Sequence, residues 1–236
     1  MTRLRSLIFN LGMWITIPPF ALLAILLIPL PAVTRSRIVG GWAHFVVWWL
    51  KLTCNLEYRV IGRENIPNQA CVVLAKHQSA WETIAFQTIF PPQIWVMKRE
   101  LLWIPFFGWA LAALSAIAID RSAGREALKQ LVSQGKNRLK RGLWVVIFPE
   151  GTRITPGERG KYHIGGAWLA THTNATVVPV AHNAGEFWRK NSLLKRAGTI
   201  TVSIGTPINA AGMKTDELNK KVEEWIEAEM PRLNTL

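Results

Sequence analysis

Short apolar runs with the composition of β-strands alternate with longer segments of helical periodicity along most of this chain, and this alternation constrains the fold more than any other feature. The strand-like runs cover residues 56–61, 71–75, 94–97, 116–119, 144–147, 176–181 and 199–204. The helical patterns cover residues 80–89, 101–114, 124–140, about 165–172, and 215–230. Strands that alternate with helices are typical of parallel sheets, because each parallel connection needs a crossover, which is usually a helix. We therefore predict an α/β fold with a largely parallel sheet flanked by helices.

The first 54 residues differ in composition from the rest. Residues 7–33 are apolar apart from Asn10 and Thr16, and residues 38–50 form a second apolar stretch that carries three tryptophans. The residues that follow are numerous enough for one globular domain with a full core. We predict a membrane-associated hydrophobic two-helix hairpin over residues 1–54 and an α/β domain over residues 55–236.

The apolar front end could meet a membrane in two ways. A spanning helix needs about 20 apolar residues, but four prolines divide this stretch: Pro18, Pro19, Pro29 and Pro31. A hairpin that dips into one leaflet keeps all the flanking arginines on one side, and these are Arg3, Arg5, Arg35 and Arg37. We expect the dip, because two full spans would place two of the arginines outside, against the positive-inside tendency. A secretory signal peptide is disfavoured, because the apolar run is long and lacks a small-residue cleavage site before Arg35.

The first candidate functional motif follows the apolar run 71–75. Residues 77–82 read His-Gln-Ser-Ala-Trp-Glu, which places an imidazole five residues before a carboxylate. Positions five apart do not share a helix face, so His77 and Glu82 can meet only if His77 lies in a strand-to-helix turn that Ser79 can cap. A carboxylate on one ring nitrogen fixes the tautomer and leaves the other nitrogen to accept a hydroxyl proton. The pair is therefore a candidate general base; an incidental surface pair is the alternative.

No Gly-x-Ser-x-Gly elbow accompanies the histidine, which favours direct attack by a substrate hydroxyl over a covalent acyl-enzyme.

The second motif, Phe-Pro-Glu-Gly-Thr-Arg, occupies residues 148–153 after the apolar run 144–147. Gly151 and Thr152 can expose backbone N–H groups to an anion, and Arg153 has a planar fork of donors suited to phosphate oxygens. Glu150 cannot bind phosphate directly, so we expect it to pair with a neighbouring cation or to hold the turn. Together the motifs indicate chemistry on a phosphorylated substrate.

With these motifs the chain resembles the glycerolipid acyltransferases, in particular the bacterial 1-acylglycerol-3-phosphate acyltransferases. The family's His-x-x-x-x-Asp motif corresponds to His77 and Glu82, and its Phe-Pro-Glu-Gly-Thr-Arg motif is matched residue for residue at 148–153. Two further blocks resemble residues 98–121 and 177–180, so the likeness runs from about residue 57 to residue 208. The departure is Glu82, whose extra methylene lengthens the reach by about 1.5 Å, so the backbone between the two residues must adjust.

The resemblance implies transfer of a fatty acyl group from an acyl thioester, acyl-CoA or acyl carrier protein, to the 2-hydroxyl of lysophosphatidic acid, giving phosphatidic acid. His77 would deprotonate this hydroxyl and Glu82 would orient His77. The implied acceptor site comprises Lys98, Arg121, Glu150, Gly151, Thr152 and Arg153, in which Glu150 supports the turn. Arg121 has separate support, because it follows the strand-like run 116–119 and ligands gather at the carboxyl ends of strands in open α/β sheets.

The net charge of +13 favours an anionic partner. Anionic lipid on the cytoplasmic side attracts basic segments, and acidic acyl carrier proteins would suit the same surface. Nucleic acid is disfavoured, because the basic residues are scattered and no nucleic-acid-binding signature is present. The twelve tryptophans, several of which flank apolar runs, suit a membrane interface. We therefore predict a protein associated with the cytoplasmic face of the inner membrane.

Cys54 and Cys71 form no Cys-x-x-Cys motif and no disulfide framework, which fits a reducing cytosol. The five histidines form no ligand-spaced cluster with cysteines or carboxylates, so we predict no metal and no other cofactor. His182 follows the fourth block and is a candidate for lining the site, with a structural role as the alternative.

Three other functions stay open at this point. The acceptor could be another lysolipid, such as lyso-ornithine lipid, whose head group lacks a glycerol phosphate. Water could replace the hydroxyl, which would make the protein a hydrolase. Finally, the chain could be a non-enzymatic basic membrane-binding protein in which His77 is incidental.

Overall fold

The computed structural model describes residues 1–234, apart from the side chains of Arg121 and Asn234. In chain order its helices are α1 (Thr2–Leu26), α2 (Ala32–Val39), α3 (Gly41–Cys54), α4 (Trp81–Ile89), α5 (Phe107–Ala113), α6 (Arg125–Lys140), α7 (Gly165–Thr173), α8 (Ala184–Phe187) and α9 (Thr215–Asn234). Its strands are β1 (Leu56–Ile61), β2 (Val72–Ala75), β3 (Gln93–Lys98), β4 (Ile117–Ile119), β5 (Trp144–Ile147), β6 (Thr176–His182), β7 (Gly198–Ile204) and β8 (Ile208–Asn209). Short 3₁₀ turns cover Arg63–Asn65, Arg99–Trp103 and Arg121–Ala123.

The strands form one sheet in the order β1-β7-β6-β2-β5-β3-β4, with β8 paired to β6. Strands β2 to β6 run parallel to one another, whereas β7 is antiparallel to β6 and parallel to β1. The carboxyl ends of the five parallel strands therefore meet at one edge, which is where ligands gather in open α/β sheets. The predicted α/β fold with a largely parallel sheet flanked by helices is confirmed.

Both faces of the sheet are buried, because successive side chains of a strand point to opposite faces. In β2, Val73 and Ala75 join a core with α1, α3 and α4, whereas Val72 and Leu74 join a core with α6, α7 and α9. We call the first side the α1 face and the second side the α6 face. The near-continuous apolar character of β2 and β5 follows from this two-sided burial.

The N-terminal residues form helices, and they pack on the α1 face. Helix α1 packs against α3, and its carboxyl-terminal end joins α2 and α5 in a small core of Ala24, Val39, Ala113 and Leu114. Helix α3 belongs to the main core of the α1 face. Among residues 1–234, α1 is long and apolar enough to cross a bilayer, by length and composition alone. The domain division after residue 54 stays a prediction.

Helix α1 continues through Pro18 and Pro19, although we expected these prolines to divide it. A proline lacks the N–H of a helical hydrogen bond and costs roughly 3 kcal/mol in a helix interior. Packing of α1 against α3 and α5 offsets this cost, which the local sequence does not reveal. The break expected at Pro29 and Pro31 is present, because α1 ends at Leu26 and α2 begins at Ala32.

The helix expected at residues 101–114 is divided, so this expectation was wrong. A 3₁₀ turn covers Arg99–Trp103, and α5 begins only at Phe107. Pro105 cannot donate the helical hydrogen bond, and Phe106 has a left-handed φ of +60°. The other expected helices and strands are present with small shifts at their ends, whereas α8 and β8 were not expected.

Candidate active site

A cavity of about 450 Å³ lies against the carboxyl edge of the parallel strands. Its lining includes His77 after β2, Lys98 at the end of β3, and Arg153 after β5. The remaining walls are mostly apolar and come largely from the α1 face and α5, including Met13, Ile17, Phe20, Ile84, Leu111 and Leu114. A cavity of this volume lies in the range that holds small ligands. An apolar chamber therefore meets polar and cationic groups at one edge of the sheet.

His77 and Glu82 are hydrogen-bonded in the turn between β2 and α4. Glu82 lies in the first turn of α4, as its spacing from His77 predicted. Its Oε1 lies 2.8 Å from Nδ1 of His77 and also accepts hydrogen bonds from the backbone N–H groups of Gln78 (2.9 Å) and Ser79 (2.7 Å). The turn backbone thus accommodates the longer glutamate side chain. One oxygen of Glu82 collects all three hydrogen bonds.

Glu82 is fully buried, and its surroundings favour the ionised carboxylate. Burial by itself raises the pKa of this carboxyl, but His182, His77 and the N–H of Ser79 hold the pKa of Glu82 below its usual value. An ionised carboxylate can only accept hydrogen bonds, so Nδ1 of His77 donates in this bond. In the neutral form of the ring, Nε2 is then the nitrogen with the free lone pair. The ring of His77 stacks on Phe148 with 4.1 Å between centroids. The cavity is therefore lined by an imidazole of fixed tautomer and restricted orientation.

His182, the last residue of β6, lies behind Glu82 and is fully buried. Its Nε2 donates to the backbone carbonyl of Lys76 (2.8 Å), and its Nδ1 accepts from the N–H of Ala184 (3.3 Å). Burial lowers the pKa of His182, and the carboxylate of Glu82 acts in the opposite direction. Its Nε2 is 4.0 Å from Oε2 of Glu82, too far for a hydrogen bond. His182 is thus a neighbour of the carboxylate and not part of the cavity wall.

The 148–153 turn folds back on itself after β5. Gly151 has a left-handed φ of +66°, which favours glycine. Its N–H donates to the carbonyl of Phe148 (3.0 Å), so this N–H is engaged within the turn. The assignment of Gly151 to the acceptor site stays a prediction. The N–H of Ile154 donates to the carbonyl of His77 (2.8 Å), which ties the turn to the residue at the end of β2.

The side chain of Glu150 points into the protein and is not placed to touch an acceptor. Its Oε2 accepts from the backbone N–H of His77 (2.8 Å), and its Oε1 lies 2.7 Å from the ammonium of Lys76. Lys76 also donates to Glu227 of α9 (2.8 Å), which accepts from the Tyr162 hydroxyl (2.7 Å). Burial raises the pKa of Glu150, while Lys76 and the His77 N–H act in the opposite direction. Glu150 therefore holds the turn by pairing with a cation, as we expected.

The cations around the cavity differ in how they are held. Among the described residues, none is a hydrogen-bond partner of the buried Nε of Arg153, and the carboxylate of Glu150 pairs with Lys76. Lys98 is exposed, and so is Thr152. Lys190 lies over the turn, where its ammonium donates to the Arg153 carbonyl (3.0 Å) and lies 3.4 Å from Oγ1 of Thr152. Arg121 begins a 3₁₀ turn after β4, and its side chain lies outside the described part of the structure.

Within the described part of the chain, no group of three or more His, Cys, Asp or Glu side chains could hold a metal ion. Cys54 and Cys71 are both free and buried. The absence of a metal or other cofactor stays a prediction.

Sequence reasoning missed three parts of this site. The apolar walls carry no motif, because α1 and α5 come together only through the fold. Lys76 offered a usable signal, since a lysine at the end of a buried strand needs an anionic partner. Glu227 and Lys190 gave no local signal.

Comparison with known proteins shows the family to which this sequence belongs. Residues 57–183 match a family model described as Acyltransferase. A 1-acyl-sn-glycerol-3-phosphate acyltransferase of Pseudomonas aeruginosa is 47% identical over 211 residues, covering 88% of this chain and 82% of that protein. Another with the same name, from Cocos nucifera, is 26% identical over 215 residues, covering 90% and 69% of the two chains.

A solved structure gives the same fold. The crystal structure of the 1-acyl-sn-glycerophosphate acyltransferase of Thermotoga maritima matches with a TM-score of 0.82 at 23% identity, covering 100% of this chain and 97% of that chain. The region that matches the family model contains His77, Glu82 and the 148–153 turn. The chain is therefore an enzyme of the acyltransferase family.

Proposed function

We propose that the protein transfers a fatty acyl group from an acyl thioester to the 2-hydroxyl of 1-acylglycerol 3-phosphate, giving phosphatidic acid. The observation that carries this proposal is the His77–Glu82 pair in the wall of an apolar cavity that Arg153 and Lys98 also line. Lysophosphatidic acid and an acyl thioester together supply a hydroxyl, a phosphate and a long apolar chain, which match these three features. The names of the Pseudomonas and Cocos relatives support the same acceptor.

His77 acts as the general base in this proposal. Its Nε2 takes the proton of the acceptor hydroxyl while the hydroxyl oxygen attacks the thioester carbonyl carbon. The tetrahedral intermediate then collapses, the C–S bond breaks, and the leaving thiolate takes the proton back from the imidazolium. The products are an ester and a free thiol, and the protein is unchanged. Glu82 stabilises the imidazolium that exists between these two transfers.

Arg153 is the principal ligand of the acceptor phosphate in this proposal. Arg153 lines the cavity, and its buried Nε has no hydrogen-bond partner within the described part of the protein. A planar fork of donors binds phosphate oxygens in pairs. Lys98 and Thr152 are exposed nearby and could add contacts, and Arg121 retains the support of its place after β4.

The fatty acyl chain occupies the apolar part of the cavity. Burying each methylene stabilises a bound chain by about 0.8 kcal/mol, and the walls from α1, α4 and α5 offer apolar contact along the chamber. The thioester carbonyl would then lie beside His77. The donor is acyl-CoA or acyl carrier protein, and the net charge of +13 suits both of these anionic donors.

The protein works at a membrane in this proposal, on its cytoplasmic face. Helix α1 exposes large apolar side chains along its length, including Leu4, Leu7, Leu11, Ile15, Leu22 and Leu26. Lysolipid acceptors partition into a bilayer, so an enzyme at the interface meets its acceptor there. The exposed Arg3, Arg5 and Arg37 at the two ends of the apolar segment favour a hairpin that lies in the cytoplasmic leaflet, whereas Arg35 is buried and bonds to the carbonyls of Ile28 and Leu30.

The test is acyl transfer by the purified protein in detergent micelles, with lysophosphatidic acid and each thioester donor in turn. We expect His77→Ala to abolish transfer with an unchanged melting temperature. His172→Ala, which alters an exposed histidine on α7, serves as the matched control and should retain the rate. Unchanged transfer by the His77 variant would contradict the mechanism. A chelator should not change the rate, and chelator-sensitive activity would contradict the metal-free prediction.

Two measurements separate the proposal from its alternatives. Glycerol 3-phosphate should compete with the lysolipid if the phosphate is recognised, whereas a lyso-ornithine acceptor would be insensitive to it. Release of free fatty acid without a lysolipid acceptor would instead identify a hydrolase.

A further inference from the structure

The segment between Trp188 and strand β7 combines positive charge with exposed leucines. Residues 189–196, which we call the basic segment, read Arg-Lys-Asn-Ser-Leu-Leu-Lys-Arg, with four cations and no acidic residue. Leu193 and Leu194 are 60% and 44% exposed. Arg189, Lys190 and Arg196 are exposed as well. Apolar side chains flanked by cations suit the boundary between water and an anionic bilayer.

Lys195 fixes the basic segment to helix α1. Its side chain is 1% exposed, and its ammonium donates hydrogen bonds to Oδ1 of Asn10 and to the carbonyl of Leu193. The ammonium also lies 5.1 Å from the ring centroid of Phe9 and 4.3 Å from that of Trp188. A buried cation with this many partners holds the segment in one position.

Backbone groups of the basic segment are bonded to α1 as well. Oγ of Ser6 accepts from the N–H of Lys195 (2.9 Å), and Nδ2 of Asn10 donates to the carbonyl of Leu193 (2.9 Å). The same half of α1 exposes large apolar side chains on its other side: Leu4, Leu7, Ile8, Leu11 and Trp14. The exposed leucines of the basic segment are therefore held beside the apolar surface of α1.

The other end of the basic segment reaches the proposed acceptor site. Lys190 donates to the carbonyl of Arg153 and lies beside Thr152. One segment thus touches both the N-terminal helix and the 148–153 turn. A fixed position of the segment at a lipid surface would bring that turn close to the same surface.

We propose that the basic segment is a second membrane-binding element, which docks on anionic phospholipid beside α1 and places the 148–153 turn at the interface. This inference rests on the proposed association of α1 with the membrane. A bilayer fits the segment better than a soluble acidic protein does, because the exposed Leu193 and Leu194 adjoin the apolar surface of α1. Its cations complement the charge of anionic head groups at the same place.

The direct test labels Leu194→Cys in the full-length protein with an environment-sensitive fluorophore. The same label on Lys136→Cys, exposed on α6 on the opposite face of the sheet, is the control. With vesicles of phosphatidylethanolamine and phosphatidylglycerol, the emission of the label at position 194 should shift to the blue and be quenched by lipids brominated in their acyl chains. The label at position 136 should not respond. A label at position 194 that stays in water overturns the proposal.

Partition onto the same vesicles gives a second measurement. Each suitably placed cation changes binding to anionic lipid by about fivefold, so Arg189→Ser/Arg196→Ser should weaken partition roughly 10- to 30-fold. Raising the ionic strength should remove this difference, because salt screens exposed charges. The matched double variant Lys136→Ser/Lys140→Ser on α6 should partition like the wild type. Equal losses in the two double variants would contradict a localised contact.

The apolar contribution is tested by Leu193→Ser/Leu194→Ser. This variant should weaken partition at every salt concentration, since its effect does not depend on screening. Partition equal to that of the wild type would contradict the proposal that Leu193 and Leu194 contact the bilayer.

Acyl transfer in detergent micelles separates this inference from the proposed function. The arginine and leucine variants should keep the wild-type micellar rate, because micelles deliver the acceptor without a docked bilayer. A wild-type protein that is inactive in micelles would contradict the proposed function. The vesicle measurements would still decide whether the basic segment binds the membrane. Protection of the label at position 194 by an acidic carrier protein, with no response to vesicles, would overturn the membrane proposal in favour of that partner.

Discussion

Glu82 and Glu150 are two buried carboxylates that hold the same histidine in different ways. Glu82 bonds the ring of His77 at Nδ1, and Glu150 accepts from its backbone N–H, each at 2.8 Å. The pKa of Glu82 is lowered and that of Glu150 is raised, although burial raises both. Glu82 gathers three hydrogen bonds on one oxygen. Glu150 relies on an ammonium that it shares with another carboxylate.

The difference shows how the protein keeps a negative charge beside the imidazole of His77 although a lysine is the adjacent residue. A free cation close to His77 would oppose formation of the imidazolium. Lys76 is the adjacent residue, but its ammonium lies between Glu150 and Glu227 at 2.7 and 2.8 Å. The ring of His77 and the backbone of the turn therefore supply the hydrogen bonds of Glu82, while the ammonium of Lys76 is held by two other carboxylates.

The largest effect should come from Glu82→Gln. A neutral amide can either accept a hydrogen bond from Nδ1 of His77 or donate one to it, and it no longer stabilises the imidazolium. We therefore expect kcat to fall by roughly 10³- to 10⁴-fold. The KM values and the melting temperature should change little by comparison. Steady-state kinetics in micelles measure this, with Glu224→Gln on exposed α9 surface as the control. Activity within tenfold of the wild type would remove Glu82 from the mechanism.

Lys76→Met tests the other carboxylate. It leaves the buried Glu150 and the partly buried Glu227 without their cation, and breaking a buried pair in this way costs about 3–5 kcal/mol of unfolding free energy. The triple variant Lys76→Met/Glu150→Gln/Glu227→Gln should recover much of that loss, because no uncompensated charge remains. Chemical denaturation of all three proteins in detergent measures this. If Lys76→Met were as stable as the wild type, the ammonium of Lys76 would not be needed to stabilise the two carboxylates.

Arg153→Lys should have a smaller effect, directed at the acceptor. Loss of the planar fork removes a charge-assisted contact of about 1.5–3 kcal/mol, which corresponds to a KM for lysophosphatidic acid roughly 10- to 100-fold higher. The KM for the thioester should change less. Arg159→Lys, an exposed arginine paired with Glu223, is the control. An unchanged acceptor KM would remove Arg153 from the site.

The smallest effect concerns how stability depends on pH, where the two carboxylates should act in opposite directions. The lowered pKa of Glu82 contributes stability above the ordinary value of 4.5, and this is lost as the pH falls towards the folded pKa. The raised pKa of Glu150 contributes stability below 4.5, and this is lost as the pH rises through its folded pKa.

Melting temperatures measured between about pH 4 and pH 7 report these contributions. The quantity compared is the melting temperature of the wild type minus that of the variant. On acidification the difference should shrink for Glu82→Gln and grow for Glu150→Gln. Parallel changes in the two variants would contradict the opposite pKa directions.

Separation along the chain decides how much of this could be predicted. The His77–Glu82 bond joins residues five apart, so strand, turn and helix signals were enough to place it. The Lys76–Glu227 bond joins residues 151 apart and depends on where α9 packs. The cavity walls depend in the same way on how α1 and α5 meet, and no periodicity in either segment encodes that.

The fold follows the same rule. Runs buried on both faces of the sheet, such as β2 and β5, have an apolar signal strong enough to predict. Strand order and the antiparallel β7 were not predicted, because pairing is decided by tertiary packing. Helix α1 passes Pro18 and Pro19 because its neighbours stabilise it, and local propensity gave the wrong answer there.

The bond between Lys195 and Asn10 also has a consequence for synthesis, because it joins residues 185 apart. At about 5–20 residues per second, roughly 10–40 s separate the emergence of these two residues from the ribosome. During this interval Ser6, Phe9 and Asn10 lack the basic segment that covers them in the finished protein. In the proposed association of α1 with the membrane, the helix can therefore reach the bilayer before the sheet and the site at its edge are complete.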